Sequence, residues 1–114
     1  MPPLELRTER GTYIISLTWE PVTIKPGNNT KFGMIFYDDK KNLVTGVGYN
    51  FAVVDATGQL FFAKDNQLAP DGTAIQNVAF QKPGPMTVKV LITTAGSGAV
   101  SNFVESGQFD IVVQ

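Results

Sequence analysis

Any chemistry in this chain has to run on carboxylates, lysines, tyrosines and hydroxyls, because its 114 residues include neither histidine nor cysteine. A nucleophile needs an adjacent base, and the base in turn needs an orienting group. With imidazole and thiolate gone, Asp38 and Asp39 are the closest acidic pair. Neighbours in a polar turn are solvated, whereas the two carboxylates of a glycosidase flank a sugar across roughly 5–9 Å. The chain is therefore read as a non-enzyme that carries no cofactor. Zinc and copper sites draw mostly on Cys and His, so neither metal is expected. Loop oxygens for calcium are offered by Asp38, Asp39 and Asn42, and again by Asp65, Asn66 and Asp71. Neither set has the spacing of a dedicated calcium loop, and Asp and Asn are turn formers in their own right.

Three other chemistries have candidate residues. A sugar site needs exposed aromatic platforms, and the chain holds eight Phe, three Tyr and one Trp. Trp19, Phe32, Phe36, Phe51, Phe80 and Phe109 fall at inward positions of alternating strands and are assigned to the core. Tyr37 and one of Phe61 and Phe62 are left over as ligand-binding candidates, since adjacent strand residues point to opposite faces. Asn28, followed by Asn29 and Thr30, forms a glycosylation acceptor pattern on a turn. Lys31 and either Asn102 or Asp110, with Glu105 as a buried acid, are the residues a Lys–Asn or Lys–Asp crosslink between strands would use. A lysine at a strand edge also serves simply to discourage aggregation.

Composition narrows the partners. Nine basic and ten acidic side chains give a net charge of −1 with no long run of one sign. Lys40 and Lys41, the nearest basic cluster, directly follow Asp38 and Asp39, so nothing resembles the basic stripe that neutralises nucleic-acid phosphates. No segment reaches the roughly 18–20 apolar residues of a membrane-spanning helix. Met1 to Arg10 carries Glu5, Arg7, Glu9 and Arg10, too much charge for a secretory signal. The reading is a cytosolic protein, or a chain whose targeting and anchoring segments lie outside these residues.

The elements that must position any site are strands. Residues 69–90 show the grammar most plainly. Ala69–Pro70–Asp71–Gly72 turns the chain and Thr73 to Phe80 runs as a strand; Lys82–Pro83–Gly84–Pro85 turns it again and Met86 to Ile92 alternates. Upstream, Leu4 and Leu6 form a short edge strand, and residues 1–11 are otherwise free to be flexible. Tyr13, Ile15, Leu17 and Trp19 share one face of a strand ended by Pro21. Phe32, Met34 and Phe36, and then Val47, Tyr49, Phe51 and Val53, line the next two. Leu60 to Lys64 is a short strand, and Asp65 to Gly72 reads as a polar connection. Thr94 to Asn102 reads as a loop. Phe103, Phe109, Ile111 and Val113 belong to the last strand or pair of strands, with Gly107 marking a bulge or bend. The expectation is a single all-β domain over 1–114, an Ig-like sandwich of seven to eight antiparallel strands in two sheets. A chain of this length buries roughly two thirds of its unfolded surface, enough for a core without staples.

The words Trp19–Glu20–Pro21, Lys25–Pro26–Gly27, Thr30–Lys31–Phe32, Phe36–Tyr37–Asp38, Asp71–Gly72–Thr73–Ala74 and Pro83–Gly84–Pro85 together resemble Ig-like sandwich domains of prokaryotic cell-surface proteins. The likeness is greatest to those of archaeal envelope proteins, and the intimin and invasin Ig-like modules are distantly similar. It covers residues 12–113. The resemblance implies an extracellular or cell-surface structural or adhesive domain that meets a protein or cell-envelope partner. Related periplasmic sandwiches handle copper through His and Met; with only Met1, Met34 and Met86 present, that role does not carry over. A small-ligand or carbohydrate-binding module is the alternative. Self-association is expected through sheet edges, at the Leu4–Leu6 segment and the last strand, where unpaired backbone groups can recruit another strand.

Overall fold

A computed structural model describes residues 3–95 and 105–114. Eight strands follow in chain order: β1 Leu4–Arg7, β2 Tyr13–Glu20, β3 Asn29–Asp38, β4 Val47–Asp55, β5 Leu60–Ala69, β6 Thr73–Ala79, β7 Gly84–Thr94 and β8 Glu105–Val113. They form two antiparallel four-stranded sheets, ordered β1-β2-β3-β6 and β5-β4-β7-β8. The expected all-β, two-sheet architecture is the one the chain adopts.

Alternation explains why these segments pair as they do. Ile15, Leu17 and Trp19 of β2 stand opposite Phe36, Met34 and Phe32 of β3. In the other sheet Tyr49, Phe51 and Val53 of β4 stand opposite Ile92, Val90 and Val88 of β7. Every one of these side chains is buried in one continuous core between the sheets. A one-residue slip in any strand would turn its apolar row to water, so burial fixes the register. Phe32 is the keystone: its ring lies 5.8 Å from Phe51 of the facing sheet, 6.3 Å from Phe80 and 6.5 Å from Trp19.

Three turns use the same device. The Asp38 carboxylate accepts the backbone N–H of Lys40 at 2.9 Å and of Asn42 at 2.8 Å. Asp55 accepts the Thr57 hydroxyl at 2.6 Å and the N–H groups of Thr57 and Gln59. Asp71 accepts the Thr73 hydroxyl at 2.8 Å and the Thr73 N–H at 3.1 Å. These donors stabilise the charged form, and all three carboxyls are held below the ordinary aspartate value of 3.8: by the Asn42 N–H first at Asp38, and by the Thr57 and Thr73 hydroxyls first at Asp55 and Asp71. Because the folded values are lowered, the stabilisation is complete above about pH 4 and is lost as pH falls through them. Urea midpoints measured downward from pH 5 are expected to fall in this acid window, and the fall should be shallower in Asp55→Ala.

Several details depart from the sequence reading. Asp65 to Ala69 is not a connection; it continues β5 opposite Tyr49, Gly48 and Val47. Two irregularities in the β4–β5 pairing, one beside Asn66 with its positive φ of 57°, break the alternation that would have revealed it. Gly107 is no bulge, since β7 and β8 pair without a shift from Gly84 opposite Val113 to Ile92 opposite Glu105. A Cβ there would lie 3.2 Å from Ile15 and 3.3 Å from Leu6, so the glycine lets the first sheet approach β8 closely. β7 begins at Gly84 and extends to Thr94. Phe103, Asn102 and most of the expected 94–102 loop lie outside the described residues.

Candidate functional site

An open groove of about 450 Å³ lies on the outer side of the β1-β2-β3-β6 sheet, lined by Glu5, Arg7, Ile14, Asp39, Lys40 and Lys41. Its floor is Ile14, an outward residue of β2 whose cross-strand partner is Tyr37 of β3. Its walls come from β1 and from the turn after β3, which Asp38 folds back so that Lys41 takes a positive φ of 65°. The Lys41 ammonium bonds the Glu5 carboxylate at 2.6 Å and lies 5.7 Å from the centre of the Tyr37 ring. Arg7 Nη2 reaches the Asp39 carbonyl at 3.5 Å. The Lys41–Glu5 pair is well exposed on both sides, so it orients the turn more than it stabilises the fold. Chemically the groove offers three cationic side chains, Arg7, Lys40 and Lys41, and the carboxylates of Glu5 and Asp39, with the Tyr37 ring beside it, an arrangement able to hold a polar group against a small apolar floor.

Of the residues singled out from sequence, Tyr37 lies beside the groove, opposite Ile14 and under Lys41, without lining it. Phe61 and Phe62 belong elsewhere. Both pack against the core: Phe61 stacks on Phe80 at 5.4 Å with an interplanar angle of 8°, and Phe62 meets Phe51 edge-on at 6.0 Å. The parity argument that freed one of them fails because the pairing shifts between Val53, opposite Phe62, and Val54, opposite Leu60, leaving Phe61 as an extra residue in the strand. The two rings therefore serve one side together.

The remaining candidates scatter. Asn28 is exposed in the turn before β3, while Thr30 is wholly buried. Lys31 lies opposite Glu20 and Asn77 on the outer side of one sheet, and Asp110 bonds Thr87 on the outer side of the other. The core separates them, so that crosslink is ruled out by position; Asn102 lies outside the described residues. Glu105 is indeed buried, 3% exposed, and accepts the Thr8 hydroxyl at 2.8 Å. Burial first, and the Glu105 charge second, push the Tyr13 phenol above its ordinary value. The Asp38 and Asp71 carboxylates of the two acidic loops are engaged by their own turns. A smaller cleft of about 140 Å³ lies between Asp55–Thr57 and Lys82–Met86.

Glu5, Arg7 and Ile14 carried no site signal in the sequence, because only the β1–β2–β3 order brings them beside the Asp39–Lys41 turn. Among the described residues no group of three or more His, Cys, Asp or Glu could hold a metal ion, and no helix is long and apolar enough to cross a membrane. No family model matches this chain, and no curated protein matches it either.

Proposed function

We propose that this chain is an Ig-like sandwich domain serving as a non-catalytic structural or adhesive interaction domain of a cell-surface protein. The observation that carries this reading is the use of the aromatic rings. Phe32, Phe36, Phe51, Phe80, Phe109, Trp19 and Tyr49 are buried, and Phe61 and Phe62 pack onto them. A side-chain inventory spent on packing leaves surfaces and edges, not a pocket, as the means of recognition. Strand order adds support: with β2 to β8 taken as A, B, C, C′, E, F and G, the pairs A–B, B–E, C′–C, C–F and F–G all occur, as in Ig sheets. β1 then adds one strand outside A.

The second reading, a small-ligand or carbohydrate module, is favoured by the groove between Arg7, Lys40 and Lys41 beside Tyr37. A glycan array separates the two. The interaction-domain reading expects no retained oligosaccharide; specific retention that Tyr37→Ala abolishes would replace it with the sugar reading. Immunolabelling of intact against permeabilised cells of the source organism tests location, and label confined to permeabilised cells would overturn the surface assignment.

A further inference from the structure

Among the described residues four strands end the two sheets, and three of them carry features that discourage further pairing. β1 is four residues long and carries Glu5 and Arg7. β8 is tied at both ends: the Ser106 N–H donates to Glu9 at 3.3 Å, and beyond Val113, which bridges Ile24, the Gln114 N–H donates to the Ile24 carbonyl at 2.7 Å. β5 is broken by its two pairing shifts and carries Lys64 and Asp65. Short length, charge and bulges are the means by which sheets protect their edges.

β6 has none of them. Thr73–Ala79 contains no charged residue and no proline, and it pairs with β3 without interruption over all seven residues. The Gly72 carbonyl accepts the Phe36 N–H at 2.9 Å and the Phe80 carbonyl accepts the Gly27 N–H at 2.8 Å. Even-numbered residues therefore turn their backbone groups toward β3. By strand alternation, Thr73, Ile75, Asn77 and Ala79 turn theirs to the open edge. Asp71 occupies the Thr73 N–H; among the described residues no strand pairs with the outer side of the other three. The edge is also held firm from beneath, where the Gln76 side-chain amide donates to the Tyr49 hydroxyl at 2.9 Å and to the Gln67 side-chain Oε1 at 3.2 Å. Ile75, 56% exposed, stands on the outer face of this edge.

Resting on the interaction-domain reading, we propose that β6 pairs antiparallel with β6 of a second copy of this chain, joining two four-stranded sheets into one of eight. Charge selects this occupant. The uncharged strand is flanked by Asp71 before it and Lys82 after it, both exposed. A two-fold axis at Gln76 sets Ile75 against Asn77 and Thr73 against Ala79 of the other copy, and brings each Asp71 within one register position of the opposite Lys82. A parallel approach would instead set like charges side by side.

Sedimentation velocity from micromolar to millimolar protein, with amide exchange followed by NMR, tests this. Expected is a monomer–dimer equilibrium in which the amides of Ile75, Asn77 and Ala79 become protected as concentration rises. Asn77→Pro removes an outward N–H without touching the β3 ladder, and Ile75→Lys places like charges near the axis. Each should raise the dimer dissociation constant about tenfold or more, while Ala63→Lys on β5 leaves it unchanged. Ile75 is exposed, so its variant folds even if the proline variant does not. A monomer at every concentration, a dimer that both variants leave intact, or protection arising at Leu4–Arg7 instead would each overturn the proposal. None of these bears on the glycan array, which judges the underlying reading separately.

Discussion

Phe32→Ala is expected to destabilise the domain by about 3–5 kcal/mol, read as a lowered urea midpoint. The ring is fully buried and touches Trp19 and Phe80 as well as Phe51 across the sandwich, so its removal leaves a cavity that both sheets line. Domains of this size are stable by roughly 5–15 kcal/mol, so this one change removes a large share of the total. Phe62→Ala makes a useful contrast. That ring is half-buried at the rim and meets only Phe51 among the aromatic rings of the described residues, and its loss should cost clearly less. Equal losses at the two positions would mean that Phe32 does not bridge the sheets in the way its ring contacts imply.

The second large effect is expected at Gly72. Its φ of +82° lies in the left-handed region, and a Cβ added there would stand 2.5 Å from the Val44 carbonyl and 2.8 Å from Leu43. The same residue gives its carbonyl to Phe36 and its N–H to Ala69. Gly72→Ala thus combines a conformational cost of about 1–2 kcal/mol with a collision against backbone. Gly58 supplies the control, with a φ of +84° and nothing within 4 Å of the added atom. Gly58→Ala should show the conformational cost alone. The difference between the two thermal midpoints measures how tightly the chain after β3 is clamped over the β5–β6 turn; no difference would show that this segment gives way freely.

Most of the fold was legible because strands buried on one face write their period into the sequence. Tyr13 to Trp19, Val47 to Val53 and Met86 to Ile92 each alternate, and each forms a strand with the expected face inward. The half of β5 from Asp65 to Leu68 was not legible. An edge strand touches the core only along one margin, and its bulges shift the parity on which pattern reading depends. The other shift, between Phe62 and Leu60, misled the assignment of Phe61 and Phe62. Gly107 was visible as a special residue, but its reason was not, since Leu6 and Ile15 are its neighbours only across the sandwich. The groove was half legible. Tyr37 could be placed outward by parity, whereas Glu5 and Arg7 join the Asp39–Lys41 turn only once β1 is set beside β2 and the turn after β3 folds back. Strand order is a property of the whole chain, and no local window encodes it.

That strand order also governs how the chain reaches its native state. The pairs β2–β3, β4–β5 and β7–β8 are neighbours in sequence and can close as hairpins. The pairs β3–β6 and β4–β7 cannot, because each must close a long intervening stretch of chain before any contact rewards it. The expected slow step in folding is therefore the closing of these long-range pairs, on a timescale of roughly milliseconds to seconds. Until β6 and β7 find their partners, the inner faces of β3 and β4 stand open to water, and the interval before they close is when this sequence is most exposed to misassembly.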